Sequence, residues 1–247
     1  MAHVSCKPLV SPPNIFRSAE LSCITVMVAR RKVVVPRRTV HVGDSRIPVV
    51  TTVTARPAIA RRWLHTAVWL QGRRLRSGGD LTVGLGVQWK PPCRKLPSGA
   101  VPRPATLQLC RGNHCLVFQV ARAGAAPNIL RRLLADARVL FAAYRAAYDR
   151  RLLRAHHRLD VASVMELRGA AGMGGASMEE MAEKLRGAKF KKNHEKLLGV
   201  RGALKPRSVG TSDWDAERLS LDQVRYACVD AYLSFRLGGC IRRLGAD

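Results

Sequence analysis

The sequence predicts one α/β domain, residues 38–247, preceded by a basic N-terminal extension, residues 1–37, that we expect to be flexible. Three observations predict this organisation. Segments rich in Val and Thr alternate with segments whose apolar residues recur every three or four positions. With 247 residues, of which 47% are hydrophobic, the chain has enough apolar material for one full core. The first 37 residues contain Glu20 as their single acid, and the basic run Arg30-Arg31-Lys32 is typical of an extension.

The charge of the chain indicates the class of its partner. There are 43 Lys and Arg against 17 Asp and Glu, which gives a formal net charge of +26. Such an excess favours nucleic acid, because Lys and Arg contacts with phosphates release counterions and attract a strand at long range. Compositional drift is the alternative, since Arg greatly outnumbers Lys. We expect no membrane partner, because no clean basic amphipathic helix is present and no apolar run approaches the roughly 20 residues that span a bilayer.

The seven cysteines bear on the compartment. They are odd in number and scattered, which argues against a disulfide framework or a zinc module. Cys110 and Cys115 flank a predicted hairpin turn, where we expect two half-buried thiols, and His114 in that turn lacks further ligands at zinc spacing. A reducing compartment, the nucleus or the cytoplasm, fits this usage. An organelle is the alternative, because an acid-poor N-terminus is compatible with a transit peptide.

The first half of the domain begins with a β-hairpin. Thr and Val recur on both sides of a turn at Gly43, and Pro57 is well placed in the first turn of a helix. The predicted elements are strands at 39–42 and 47–54, a helix at 57–70 and a strand at 81–90. A long, basic loop punctuated by prolines follows through residue 102.

The second half alternates short strands with helices. The predicted elements are strands at 105–109 and 115–121, a helix from 128, a strand at 138–144, a helix at 146–157, a strand at 159–167 and a helix at 177–186. The last helix is the clearest, because Ser220 and Gln223 have capping-box form. Its apolar positions recur at three- and four-residue spacing: Leu221, Val224, Cys228, Ala231 and Phe235. We expect Gly238 and Gly239 to weaken it near its end.

Two pairs of residues stand out on the strand at 81–90 and on the last helix. Strand side chains alternate faces, so Gly86 and Gln88 point the same way. Tyr226 and Asp230 are one helical turn apart and share a side other than the apolar one. A metal site on this strand would need carboxylates at positions 86 and 88, and neither residue is one.

Three segments carry a resemblance to a known family. They are Val83-Gly-Leu-Gly-Val-Gln-Trp89, Phe141-Ala-Ala-Tyr-Arg-Ala-Ala-Tyr-Asp149, and Ser212-Asp-Trp ahead of Leu219-Ser-Leu-Asp-Gln-Val-Arg-Tyr-Ala-Cys-Val-Asp-Ala-Tyr232. Through them the sequence resembles the Werner-syndrome-type 3'-5' exonucleases, and among these the plant forms, from about residue 39 to residue 237. Those enzymes belong to the DnaQ-like, RNase H-fold superfamily of DEDD nucleases.

The resemblance implies an RNase H-like mixed sheet flanked by helices, with four acids that gather two divalent ions, Mg²⁺ or Mn²⁺, about 4 Å apart. The third motif of the family, Tyr-x-x-x-Asp, is retained as Tyr226 and Asp230, and the second-motif Asp is retained as Asp149. The first motif, Asp-x-Glu, has become Gly86 and Gln88. In the family that Asp bridges both metals and that Glu binds one of them, while the tyrosine assists the attacking water. Asp149 and Asp230 alone therefore imply an incomplete site that binds no ordered metal pair.

Three functions compete at this point. We favour binding of nucleic acid 3' ends, DNA or RNA, with hydrolysis impaired or lost. An active metal-dependent 3'-5' exonuclease is the alternative that family membership implies, and a non-enzymatic protein-interaction module is the third. The candidate contacts with nucleic acid are one aromatic and nine basic side chains: Trp89, Arg94, Lys95, Arg103, Arg145, Arg150, Arg151, Lys189, Lys191 and Lys192.

Overall fold

The computed structural model of the protein describes residues 37–43, 46–67, 81–89, 98, 100–187 and 206–245. Within them, seven strands form one mixed sheet in the order β1-β2-β5-β4-β3-β6-β7. The strands are β1 (Arg37–Val42), β2 (Ile47–Thr54), β3 (Leu81–Trp89), β4 (Pro104–Arg111), β5 (His114–Phe118), β6 (Val139–Ala143) and β7 (Ser163–Glu166). β3 lies inside the sheet, antiparallel to β4 and parallel to β6.

The described helices pack on both faces of this sheet. They are α1 (Pro57–Ala67), α2 (Asn128–Leu134), α3 (Ala146–His157), α4 (Leu167–Ala170), α5 (Met178–Gly187), α6 (Arg207–Gly210) and α7 (Leu221–Leu244). α7 begins with the predicted capping box, in which Ser220 and Gln223 each accept a hydrogen bond from the other's backbone N–H. No helix in the described part of the chain is long and apolar enough to cross a membrane.

The side chains of β3 alternate between two cores. The odd-numbered residues from Leu81 to Val87 are buried in the core that contains α1, α2 and α3. The even-numbered residues face α7: Thr82 accepts a hydrogen bond from Arg242 at 3.0 Å, and Gly84 and Gly86 lie against the helix. A single strand therefore carries one side of each core, and its even positions all meet the same helix.

α7 contacts every strand from β1 to β6 and approaches the sheet very closely at two glycines. A Cβ at Gly84 would overlap the carbonyl oxygen of Ala231, and a Cβ at Gly238 would overlap the Cβ of Ala142. A side chain at either position would push the helix off the sheet. The glycines that we expected to weaken the helix, Gly238 and Gly239, do not interrupt it. α7 continues through both to Leu244, because Gly238 gives it a close contact with β6.

Most predicted elements are confirmed to within a few residues, but two expectations about burial are wrong. Leu221 is 68% exposed, because the buried seam of α7 starts only at Gln223 and Val224. Cys110 and Cys115 are fully buried, because they face each other across the β4–β5 pair beneath α7.

β7 is the strand most shortened relative to its prediction. β7 covers only 163–166, because α3 ends at Arg158 in the left-handed conformation and the next residues form no strand. The N-terminal extension as far as residue 36, the end of the first predicted helix at 68–70 and most of the basic loop at 90–99 lie outside the described residues.

Candidate active site

The candidate site lies where the second half of β3 meets the middle of α7. The Gln88 side chain donates a hydrogen bond from Nε2 to Oδ2 of Asp230 at 3.2 Å. The Asp230 carboxylate is almost fully buried, and Gln88 is half-buried. Strand alternation and helical spacing thus place residues 142 positions apart in direct contact.

Gly86 lies against the same carboxylate. A Cβ built on Gly86 would stand 2.6 Å from Oδ2 of Asp230 and 3.0 Å from Oε1 of Gln108. Gln108 is fully buried on β4, and its amide donates to Thr106 at 2.6 Å, while its Oε1 has no hydrogen-bond partner among the described residues. The space that a first-motif side chain would enter is therefore bordered by the ends of two polar side chains.

Tyr226 lies one turn before Asp230, against the segment that precedes α7. Its ring centroid is 5.8 Å from that of Trp214, and a Cβ at Gly210 would stand 2.8 Å from its hydroxyl oxygen. The Gln223 side chain fastens this segment by donating to the Ser212 hydroxyl and to the Asp213 carbonyl, both at 2.9 Å. Sequence reasoning missed that Gln223 positions the neighbourhood of Tyr226 as well as capping the helix.

Asp149 occupies the first turn of α3 and is 5% exposed. Its backbone N–H donates to the Arg145 carbonyl at 2.9 Å. The helix dipole does not explain why this acid is buried, because a solvent-exposed acid in the first turn would interact with the dipole equally well. The preceding residue, Tyr148, faces β3.

A cationic and aromatic cluster, formed by Trp89, Tyr148 and Arg145, lies beside Asp149 at the end of β3. The Trp89 and Tyr148 ring centroids are 5.3 Å apart in an edge-to-face arrangement. The guanidinium carbon of Arg145 is 4.5 Å from the Tyr148 centroid and 5.2 Å from the Trp89 centroid. Both rings are half-buried and Arg145 is exposed. The sequence did not predict Tyr148 as a member of this cluster, because the only feature that marks it there is its position directly before Asp149.

Three buried thiols lie near Asp230. Hydrogen bonding with Cys110 raises the pKa of Cys115 well above its usual value, and burial and the Asp230 charge act in the same direction. Hydrogen bonding with Cys115 and burial likewise raise the pKa of Cys228, whose sulfur accepts from the Thr51 hydroxyl at 3.1 Å. With their pKa values raised, the Cys115 and Cys228 thiols are neutral at pH 7 and add no negative charge to the site.

A family model described as 3'-5' exonuclease matches residues 98–244, more than half of the chain. The chain belongs to the 3'-5' exonuclease family. The matched part contains Asp149, Tyr226 and Asp230 but begins after β3, so it leaves out Gly86 and Gln88.

This 3'-5' exonuclease domain is similar in sequence and in structure to several known proteins. A 3'-5' exonuclease of Arabidopsis thaliana is 28% identical over 163 residues, which cover 64% of this chain and 52% of the relative, so the chain spans about half the length of that relative. Escherichia coli RNase D, an exoribonuclease involved in structured RNA processing, matches with a TM-score of 0.52 at 15% identity, over 78% of this chain and 45% of RNase D. Brucella melitensis NrnC matches with a TM-score of 0.48 at 18% identity, over 66% of this chain and 73% of NrnC. The sheet and the RNase D match confirm the predicted RNase H-like, DnaQ-like fold.

The residues present do not fit the pair of divalent ions that the exonuclease family implies. Within the described residues, no three His, Cys, Asp or Glu side chains are grouped so that they could hold a metal ion. Position 86 offers no side chain, and Gln88 turns an N–H toward Asp230. Gln88 can supply at most a neutral amide oxygen, and Asp149 and Asp230 together supply only two negative charges.

The basic residues predicted to contact nucleic acid are dispersed. Arg103 donates to the Ala121 carbonyl at 3.2 Å, and Arg145 belongs to the aromatic cluster. Arg150 and Arg151 are exposed and line a surface groove of about 320 Å³ with Arg154. The remaining predicted contacts lie outside the described residues: Arg94, Lys95, Lys189, Lys191 and Lys192.

Proposed function

We propose that this domain of the 3'-5' exonuclease family binds the 3' ends of nucleic acids and has lost, or nearly lost, their hydrolysis. The observation that carries the proposal is the hydrogen bond from Gln88 to Asp230 at the place where the family needs a second carboxylate. The amide neutralises no charge of a cation and directs its own donor at Asp230, one of the two retained acids.

The electrostatic consequence supports loss of the metal pair. Two dications carry four positive charges, and the two retained acids balance half of them in a buried site where uncompensated charge is costly. Mg²⁺ and Mn²⁺ prefer carboxylate and other oxygen ligands, and the first-motif positions supply none that is charged. We therefore propose that an ordered metal pair does not form.

The cluster of Trp89, Tyr148 and Arg145 supports retention of binding. Each base presents a π-face to an aromatic or guanidinium plane, and stacking on an aromatic side chain contributes about 1–3 kcal/mol per base. The cluster lies beside Asp149 at the end of β3, where the 3' terminus of a strand would enter the site. The net charge of +26 favours the approach of any such strand.

An active exonuclease is the second candidate. It is favoured by the retained acids Asp149 and Asp230 and by Tyr226, all of which lie in the part of the chain that the family model matches. It would require that a pair of metal ions be held by half the usual number of carboxylates.

A degradation assay separates the two candidates. Single-stranded and recessed duplex DNA and RNA, labelled at the 5' end, would be incubated with Mg²⁺ or Mn²⁺ and either the unaltered chain or the Gly86→Asp/Gln88→Glu variant. We expect no shortening by the unaltered chain and measurable 3' shortening by the variant with Mn²⁺, because two carboxylates are restored. Metal-dependent cleavage by the unaltered chain that Asp230→Ala abolishes would contradict loss of hydrolysis.

Binding is tested separately by fluorescence anisotropy with a trinucleotide that has a free 3' hydroxyl. Arg145→Ala is expected to weaken binding about tenfold, because it removes a cation and opens the stack over Trp89 and Tyr148. Arg132→Ala is the matched control, an exposed arginine on α2 outside the cluster, and should change binding less than twofold. If the two substitutions weakened binding equally, the binding would be explained by non-specific charge attraction and not by the cluster.

A further inference from the structure

A second cationic surface lies at the start of α7, ahead of Tyr226 and Asp230 in the helix. It is a cavity of about 450 Å³ between β1 and the first turns of the helix, and we call it the basic groove. The side chains that define it are Arg38, His41, Arg46, Leu221, Val224 and Arg225.

The charged side chains among the described lining residues of the basic groove are all basic. These residues include three guanidinium groups and one imidazole but no acid, and Asp222, the acid next to Leu221, is exposed and outside the lining. Arg38, Arg46 and Arg225 are exposed, and none of them forms an ion pair with a described residue. Three guanidinium groups without carboxylates match phosphate oxygens, which they bind in bidentate fashion.

The turn between β1 and β2 fixes one side of the groove. Gly43 and Arg46 both have positive φ, 66° and 46°, and the Arg46 N–H donates to the Gly43 carbonyl at 3.0 Å. Positive φ is uncommon for arginine. The opposite side is helical, where the exposed Leu221 offers an apolar surface to a sugar or a base.

The groove and the candidate site share the α7 face of the sheet. Arg225 is five residues before Asp230 in α7, which is about 7.5 Å along the helix axis. The strand order sets the larger distance, from β1 on the far side of the groove to β3. β1 and β3 are four positions apart in the sheet. At about 4.8 Å per strand this separates them by roughly 19 Å. A stacked single strand rises about 3.4 Å per nucleotide, so about six nucleotides would join the two places.

We infer that the basic groove binds backbone phosphates of a single-stranded nucleic acid about six nucleotides on the 5' side of the terminus held near Asp230. The inference rests on the proposed function, because it takes the 3' end to occupy the candidate site. Phosphodiester is favoured over an acidic peptide, because the groove presents planar forks and the whole chain has the charge of a polyanion-binding protein.

The test compares oligonucleotides of 3 and 12 nucleotides by fluorescence anisotropy. Arg38→Ala/Arg225→Ala is expected to weaken binding of the 12-mer about tenfold and to reduce the slope of log K against log salt by about 1.4, since two phosphate contacts are lost. Binding of the 3-mer should weaken less than threefold, because a trinucleotide held at Asp230 does not reach Arg38 on β1. The affinity of Arg38→Lys/Arg225→Lys for the 12-mer should lie between that of the unaltered chain and that of the double alanine variant. Lysine keeps the positive charge but lacks the planar guanidinium fork.

The control removes the same charge from the other face of the sheet. Arg61→Ala/Arg132→Ala alters exposed arginines of α1 and α2 and should weaken the 12-mer less than threefold. An equal loss in this control, or an equal loss for the 3-mer and the 12-mer, would overturn the inference. So would displacement of the 12-mer by polyglutamate beyond the effect of chloride at the same ionic strength.

The two proposals fail differently. If Arg145→Ala leaves 3-mer binding unchanged while the groove variant weakens the 12-mer, the proposed 3'-end site is wrong, and the groove remains a phosphate-binding surface without a fixed distance to a terminus. If the 3-mer depends on Arg145 and the groove variant behaves as unaltered protein with the 12-mer, the groove is wrong and the proposed function stands.

Discussion

Two glycines of β3, two residues apart, face the same helix for different reasons. Gly84 meets the backbone of α7, where a Cβ would overlap the Ala231 carbonyl oxygen and lie 2.5 Å from the Phe235 nitrogen. At Gly86 the atoms nearest to a Cβ belong to the ends of the Asp230 and Gln108 side chains. Gly84 is required by the packing of β3 against α7. At Gly86 a larger residue could be accommodated, because the neighbouring side chains can move. The contrast teaches that this strand can retain its architecture while its chemical groups change.

The largest effect is expected at Gly84. Gly84→Ala places a Cβ inside the backbone of α7, which cannot retreat without loosening a helix that contacts most of the sheet. We expect a loss of about 3 kcal/mol in the free energy of unfolding, measured by urea denaturation. Gly174→Ala is the control, because a Cβ there has nothing within 4 Å, and it should change stability by less than about 0.5 kcal/mol. Similar stabilities for both variants would mean that α7 lies farther from β3.

The part of this architecture that the sequence predicts is local. The hairpin at Gly43, the capping box at Ser220 and the alternation along β3 each follow from a few neighbouring residues, and each is confirmed. The resemblance to exonucleases predicted in addition which of these elements contact each other, because the motifs of the family lie on segments that are distant in sequence. Position in the site could thus be predicted for Gly86 and Gln88, although neither has a residue type that signals a site.

What the sequence did not predict depends on contacts between distant segments. Leu221 fits an apolar helical stripe by spacing, but its exposure is decided by where α7 first meets the sheet. The stack of Arg145 on Trp89 and Tyr148 joins two elements about 60 residues apart. Cys110 and Cys115 flank a turn that suggests partial exposure, yet α7 covers them completely. In each case a long-range partner overrides the local pattern.

An intermediate effect is expected when a charge replaces the amide of the candidate site. Gln88→Glu exchanges a hydrogen bond donor for a second carboxylate facing Asp230, so repulsion replaces attraction. We expect a loss of about 1–2 kcal/mol at pH 7 in the presence of EDTA. Millimolar Mn²⁺ should raise the melting temperature of this variant by several degrees and leave the unaltered chain within about one degree, because only the variant offers adjacent carboxylates to a cation. Equal stabilisation of both proteins by Mn²⁺ would show that Gln88 does not prevent metal binding.

The smallest effect, and the direct counterpart of the first, is expected at Gly86. Gly86→Ala adds a Cβ that would stand 2.6 Å from the end of the Asp230 side chain, which can shift away by a small rotation. The same methyl group that should cost about 3 kcal/mol at Gly84 is therefore expected to cost about 1 kcal/mol or less here, in the same urea experiment. A loss as large as that of Gly84→Ala would show that Asp230 and Gln108 are held rigidly. In that case an aspartate at position 86 could not be accommodated by side-chain movement alone, and restoring the first motif would require a shift of α7 itself.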